Sequence, residues 1–176
     1  FSQDGNQRKK HLWTASNYDI FGRLIYMGQY EAEMSLEEAI MEFGNSPVTD
    51  SFITTNAMGY SNTPFNLQSD KMLNVNYYDE YRFLELLPPA QRDSLSYKQK
   101  EGYGTAFTSN GSSSGSKLNA KGLLTGTRTY LLDGSGKYTI QAFYYDEKDN
   151  IIQTRQSNHL GGYTTAYHRV DFRGKP

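Results

Sequence analysis

A mainly β fold of antiparallel hairpins, laid out as a meander with one short helix near residues 35–43, follows from three observations on this 176-residue sequence. Tyr-Asp recurs inside a common frame, as Tyr18-Asp19-Ile20-Phe21-Gly22-Arg23-Leu24, Tyr78-Asp79-Glu80-Tyr81-Arg82-Phe83-Leu84 and Tyr145-Asp146-Glu147-Lys148-Asp149-Asn150-Ile151. Val170-Asp171-Phe172-Arg173-Gly174-Lys175-Pro176 stands as a fourth copy in mid-frame. Tyr138, Ile140, Ala142 and Tyr144 alternate strictly, the period of a strand with one buried face. Fifteen Tyr and nine Phe supply the core, and Tyr suits a sheet because its ring packs while its hydroxyl stays wet.

Each frame makes sense as a turn. An aromatic strand residue precedes an Asp whose short side chain can bond the backbone ahead. A residue tolerant of positive φ follows, Gly22 in the first copy and Asn150 in the third. β-prone residues then resume, as in Leu24-Ile25-Tyr26 and Ile151-Ile152-Gln153-Thr154. On this reading Tyr18, Asp19, Gly22, Tyr78, Asp79, Tyr145, Asp146, Asn150, Asp171 and Gly174 are structural turn residues, and none of the four Asp residues is catalytic.

In chain order, residues 12–30 read as a hairpin with Leu12-Trp13-Thr14 in its first arm. Ser35-Leu36-Glu37-Glu38 is a capping box, and Leu36, Ile40 and Phe43 share the face expected to pack on a sheet before Gly44-Asn45-Ser46-Pro47 ends the helix. Glu33, Glu37, Glu38 and Glu42 are read as helix-dipole partners rather than acid–base groups. Residues 48–84 read as two or three strands broken at Asn62-Thr63-Pro64. Pro88-Pro89 halts regular structure. The Ser/Gly-rich stretch at about 108–118 reads as a flexible loop. Strands return at 126–132 and 137–145 around Asp133-Gly134-Ser135-Gly136. The whole is read as one β-rich domain.

Composition excludes several chemistries. Net charge is −1 and the isoelectric point is near 6.3, so no global field recruits nucleic acid. The cluster Arg8-Lys9-Lys10 is expected to be a solvated charge run. Mean hydropathy is −0.74 and no apolar run approaches the roughly 20 residues of a membrane span. Phe1-Ser2-Gln3-Asp4-Gly5 has no apolar signal region, so any export signal is expected upstream. Absent Cys removes disulfides, thiolate metal sites and cysteine nucleophiles. His11, His159 and His168 form no i, i+4 pair, and no cofactor or metal is expected. Gly111-Ser112-Ser113-Ser114-Gly115 matches a nucleophile elbow in letters only, because its flanks are polar rather than strand and helix. Gly134-Ser135-Gly136-Lys137 lacks the spacing and the following Ser or Thr of a phosphate loop.

The frames resemble the YD repeat of the Rhs family, whose Tyr-Asp-x-x-Gly-Arg-Leu core matches residues 18–24 throughout. Gly59-Tyr60-Ser61-Asn62-Thr63-Pro64-Phe65, Val75-Asn76-Tyr77-Tyr78-Asp79-Glu80-Tyr81, Ala120-Lys121-Gly122-Leu123-Leu124-Thr125-Gly126-Thr127 and Asn158-His159-Leu160-Gly161-Gly162 are similar to segments of large Rhs-like surface proteins of Bacteroidetes. That resemblance implies repeat sheets that enclose a cargo and a bacterial extracellular or cell-envelope location. It also implies that the segment belongs to a larger repeat protein and partners the remainder of it. The Asp spacings of 60, 67 and 25 (19→79, 79→146, 146→171) interrupt tandem winding twice, so the segment is atypical. Rhs shells commonly carry a toxin or self-cleaving end downstream, and none is assigned here. The expected function is a non-enzymatic structural or surface-interaction module with a cell-surface protein or glycan as outside partner. The alternative is a carbohydrate-binding or glycan-processing β-domain, for which Trp13 and exposed Tyr residues are the natural stacking platforms. Trp13 and His159 are the interaction residues to test.

Overall fold

A computed structural model describes residues 1–44, 49–111 and 115–169, with backbone alone for 109–111 and 115–117. Asp171 and Gly174, the serines of the Gly111–Gly115 stretch that matches a nucleophile elbow in letters only, and residues 45–47 lie outside the described residues. The elements are α1 (Gly5–Lys9), β1 (Leu12–Tyr18), β2 (Leu24–Glu31), α2 (Leu36–Phe43), β3 (Met72–Asp79), a 3₁₀ turn (Arg82–Leu86), α3 (Pro89–Leu95), β4 (Thr108–Gly111), β5 (Gly115–Leu118), β6 (Ala120–Tyr130), β7 (Tyr138–Tyr145), β8 (Ile151–Ser157) and β9 (Tyr163–Tyr167). The chain is mainly β, with an antiparallel seven-stranded sheet in the order β1-β2-β3-β6-β7-β8-β9. Its contacts fall into two compact units, Phe1–Val75 with Thr129–Tyr138, and Asn76–Arg128 with Thr139–Pro176.

In the first unit an aromatic cluster gathers on β1 and β2. Phe1 stacks on Trp13 at 5.0 Å and on Phe65 at 5.6 Å, and Phe43 of α2 lies 4.9 Å from Phe1 and 5.2 Å from Phe65. The capping box forms, with Ser35 N–H donating to Glu38 Oε2 at 2.7 Å and Glu38 N–H to Ser35 Oγ at 3.2 Å. The packed face of α2 is nevertheless Ala39 and Phe43, while Leu36 and Ile40 are 62% and 53% exposed. Helical spacing alone does not choose between the two stripes; the large aromatic reaching Phe1 and Phe65 does. A second short helix, α1, begins at a capping box of Asp4 and Gln7, and Arg8 and Lys9 lie exposed in its last turn, where cations complement the dipole.

Of the strands expected over 48–84, only β3 forms among the described residues. Residues 50–67 are instead held by side chains acting as backbone. Asn62 accepts from Leu67 N–H at 3.0 Å and donates to Leu67 C=O at 2.7 Å, and Asp50 Oδ2 accepts from Ser61 N–H and Oγ–H, both at 2.7 Å. Buried Asn17 donates to Tyr26 Oη at 2.9 Å and to Thr63 C=O at 3.2 Å. Burial pushes the Tyr26 phenol up to about 12.

In the second unit Pro88-Pro89 ends the 3₁₀ turn but also opens a helix, because Pro89 sits in the first turn of α3, where its missing N–H is not needed. That helix is tied to the sheet by buried polar side chains. Tyr144 Oη donates to Leu95 C=O at 2.6 Å and Arg155 Nε to Ser94 C=O at 2.7 Å. Gln153 accepts from Lys98 N–H at 3.1 Å and donates to Lys98 C=O at 2.8 Å, a one-residue imitation of strand pairing. Tyr77 and Phe83 stack at 4.6 Å, Tyr81 and Tyr144 at 4.8 Å. The stretch read as a flexible loop at 108–118 contains the paired strands β4 and β5, joined from Thr108↔Leu118 to Gly111↔Gly115. Polar composition hid them because backbone pairing does not require apolar side chains.

Candidate functional site

The first and third Tyr-Asp frames are hairpin turns with the same atomic plan. Asp19 N–H donates to Arg23 C=O and Gly22 N–H returns to Asp19 C=O, both at 3.0 Å. Asp19 Oδ1 accepts from the backbone of Phe21 and Arg23, each at 2.9 Å. In the third frame Asp146 N–H donates to Asn150 C=O at 3.0 Å, Asp149 N–H to Asp146 C=O at 3.2 Å, and Asp146 Oδ1 accepts from Lys148 and Asn150 N–H, each at 2.9 Å. The positive-φ residue lies three positions after the Asp in both, Gly22 at +75° and Asp149 at +63°. Asn150 was expected in that role, and Asp149 takes it; short Asp tolerates the left-handed region better than most residues. Both turns have the form of a type I turn closed by a left-handed residue.

The position four after each Asp acts on its carboxylate. Arg23 Nε reaches Asp19 Oδ2 at 2.6 Å, while Asn150 Nδ2 reaches Asp146 Oδ2 at 3.0 Å and Oδ1 at 3.2 Å. Burial pushes the Asp146 carboxyl up, but the bonds from Asn150 and Lys148 outweigh it and hold it below the usual carboxylate value. Register agrees as well. Tyr18 pairs with Leu24 and Tyr145 with Ile151, and each ladder slips one residue just beyond, leaving Ile25 and Ile152 as buried bulge residues.

The turn between β8 and β9 follows the same plan without a Tyr-Asp pair. Asn158 N–H donates to Gly162 C=O at 2.8 Å, Gly161 N–H to Asn158 C=O at 3.1 Å, and Asn158 Oδ1 accepts from Leu160 N–H at 3.0 Å and Gly162 N–H at 2.9 Å. Gly161 has φ +84°, and Ser157 pairs with Tyr163. Reading Asx with Gly three later, instead of Tyr-Asp, finds this turn in the sequence.

The second frame is a correction. Tyr78 and Asp79 end β3, but no hairpin follows, because the place three after Asp79 is Arg82, which opens the 3₁₀ turn. Asp79 itself has φ +70° and its Oδ1 accepts from Gly122 N–H at 2.6 Å. The tyrosines also diverge. Tyr145 is buried and donates to Leu124 C=O at 2.6 Å, whereas Tyr18 is 44% exposed.

Trp13 does not offer a stacking face: it is 2% exposed, covered by Phe1, with Nε1 donating to Ala32 C=O at 3.3 Å. His159 lies exposed at the tip of the Asn158 turn. Gly134–Lys137 forms the turn from β6 to β7, with Leu131 N–H donating to Lys137 C=O at 2.8 Å and Ser135 N–H to Asp133 Oδ1 at 2.9 Å. Among the described residues no group of three His, Asp or Glu side chains is placed to hold a metal ion, and no helix is long and apolar enough to cross a membrane.

Two features of the surface can engage something else. The outer edge of β1 is occupied: Ser2 and Thr14 exchange backbone bonds at 2.9 and 2.7 Å, Gln3 donates to Leu12 C=O at 2.9 Å, and Asp50 N–H donates to Tyr18 C=O at 3.1 Å. The outer edge of β9 is met by no described residue. Asn158 bonds Gly162 and His168 bonds Ile152, so alternation turns the N–H and C=O groups of Tyr163, Thr165 and Tyr167 away from β8, where no described residue meets them. The second feature is a groove of about 700 Å³ between residues 102–108 and the Asp146 turn, with Arg169 also in its lining. No protein-family model matches the chain, and neither the curated proteins nor the solved structures contain a match to it.

Proposed function

We propose that this chain is a non-enzymatic structural and surface-interaction module, a segment of a YD-repeat wall of the Rhs type at a bacterial cell surface or envelope. The observation that carries this reading is the shared plan of the Asp19 and Asp146 turns, down to the bulge at Ile25 and Ile152. Two sequence frames that build the same turn, register and bulge are what a repeat requires, since each unit must hand the next an equivalent edge. The outer edge of β9, which no described residue meets, supports it further. An unpaired edge invites another strand, and the partner of first choice is the rest of the parent repeat protein. The Asp residues of these frames serve as turn acceptors, which is why no catalytic role is given to them.

The test is an added hairpin. A copy of residues 138–157 fused after Pro176 is expected to protect the amides of Tyr163, Thr165 and Tyr167 from hydrogen exchange and to raise the denaturation midpoint. Unchanged exchange and an unchanged midpoint would overturn the wall reading.

A further inference from the structure

We propose that the groove beside the Asp146 turn is a saccharide-binding subsite, with the Phe107 ring as its stacking face and Glu147, Lys148 and Arg169 as its hydrogen-bonding rim. This goes beyond the wall reading and does not rest on it.

Shape and rigidity come first. At about 700 Å³ the groove has the size of a small-ligand cleft. Its two walls are fixed by bonds already made. Phe107 N–H donates to Tyr145 C=O at 2.9 Å and Phe107 C=O accepts from Asn119 N–H at 3.0 Å, so the backbone under the ring is held on both sides. Gly104 lies so close to Ile152 that an added Cβ would stand 2.8 Å from Cγ2, which brings this wall down onto the sheet. The opposite wall is the turn itself, in which Asp146 and Asn150 are committed to one another.

Chemistry then selects the ligand. Phe107 is 41% exposed, an apolar face left in water at the rim of a polar groove. The side chains of Glu147, Lys148 and Arg169 are exposed and make no hydrogen bond or ion pair with the side chain of another described residue, so acceptor and donor groups line the groove together. Two cations are balanced by Asp146 and Glu147, which disfavours a polyanion such as nucleic acid. The lining is too polar for a lipid or an apolar cofactor. A sugar ring presents what remains: vicinal hydroxyls that donate and accept, and a C–H face that lies flat on an aromatic ring. Asp146 is a wall of this site and not an acid catalyst, since its oxygens are filled by the turn.

The test is a glycan array on the whole 176-residue chain, followed by ¹H–¹⁵N titration with the best oligosaccharide. Shifts are expected at Gly102, Gly104, Thr105 and Lys148. Phe107→Ala is expected to weaken binding about tenfold. Glu147→Gln, on an exposed turn where folding is not at stake, is expected to weaken it severalfold, while Phe21→Ala leaves it unchanged. Absence of any oligosaccharide binding, or binding that both groove variants leave intact, would overturn the proposal.

Discussion

Asp146 and Asn150 are joined by four hydrogen bonds across one turn: Asp146 N–H to Asn150 C=O, Asn150 N–H to Asp146 Oδ1, and Asn150 Nδ2 to both carboxylate oxygens. In the first hairpin Arg23 takes Asn150's place on Asp19, with an ion pair where the third frame has an amide. The Arg of the Tyr-Asp-x-x-Gly-Arg-Leu core therefore has a local physical task, and Asn can discharge it.

Replacing the acceptor should show that task. Asp146→Ala removes bonds to the side chain and is expected to cost about 1–3 kcal/mol, since backbone donors lose a charged partner. Asn158→Ala should cost about 1–2 kcal/mol by the same reasoning with a neutral acceptor. Urea denaturation of the purified variants reads both.

The left-handed positions make an opposing pair. Gly22→Val forces a β-branched residue to φ +75° and is expected to destabilise by about 1–3 kcal/mol. Asp149→Gly relieves the same conformation and is expected to be neutral or to stabilise by up to about 1 kcal/mol. If both variants lost stability equally, the shared turn plan would be wrong.

Acid and alkali should act on different groups. The Asp146 carboxyl is lowered in the folded chain, so its contribution is present above the unfolded carboxylate value of about 3.9 and is lost as pH falls through the folded value. Tyr26 and Tyr145 are pushed up to about 12, burial being the main cause, and burial also raises Tyr81 and Tyr144. Their contribution is complete below the unfolded phenol value of about 10 and disappears as pH rises through about 12. Tyrosinate absorbance and circular dichroism followed together from pH 9 to 13 should show these rings ionising only with unfolding.

Gly126 marks a tight contact inside the second unit. An added Cβ would collide with the Phe83 ring, which is stacked on Tyr77. Gly126→Ala is expected to cost about 1–3 kcal/mol through overpacking, and Gly5→Ala, which meets nothing within 4 Å, is the control in the same denaturation assay.

What the sequence makes legible here is local. The first hairpin, α2 and the hairpin of β6 and β7 are visible because turn residues, a capping box and strict alternation are short-range signals. Asn158 was visible in principle, through Asx and Gly three apart. The failures come from longer range. Leu36 and Ile40 share a stripe with Phe43 as readily as Ala39 does, and the packing of Phe43 on Phe1 and Phe65 decides between them. Asp79 reads as a turn until its carboxylate is seen to hold Gly122, 43 residues away. Trp13 looks like a sugar platform until Phe1 covers it. The groove is unreadable for the same reason, since Phe107, Lys148 and Arg169 meet only in the fold.

The central claim is that the outer edge of β9, which no described residue meets, is ready for another strand. Residue-resolved amide hydrogen exchange on the 176-residue chain tests it most directly. The account predicts slow exchange at Thr164 and Ala166, which bond to β8, and fast exchange at Tyr163, Thr165 and Tyr167. Equal protection of all five amides would contradict it.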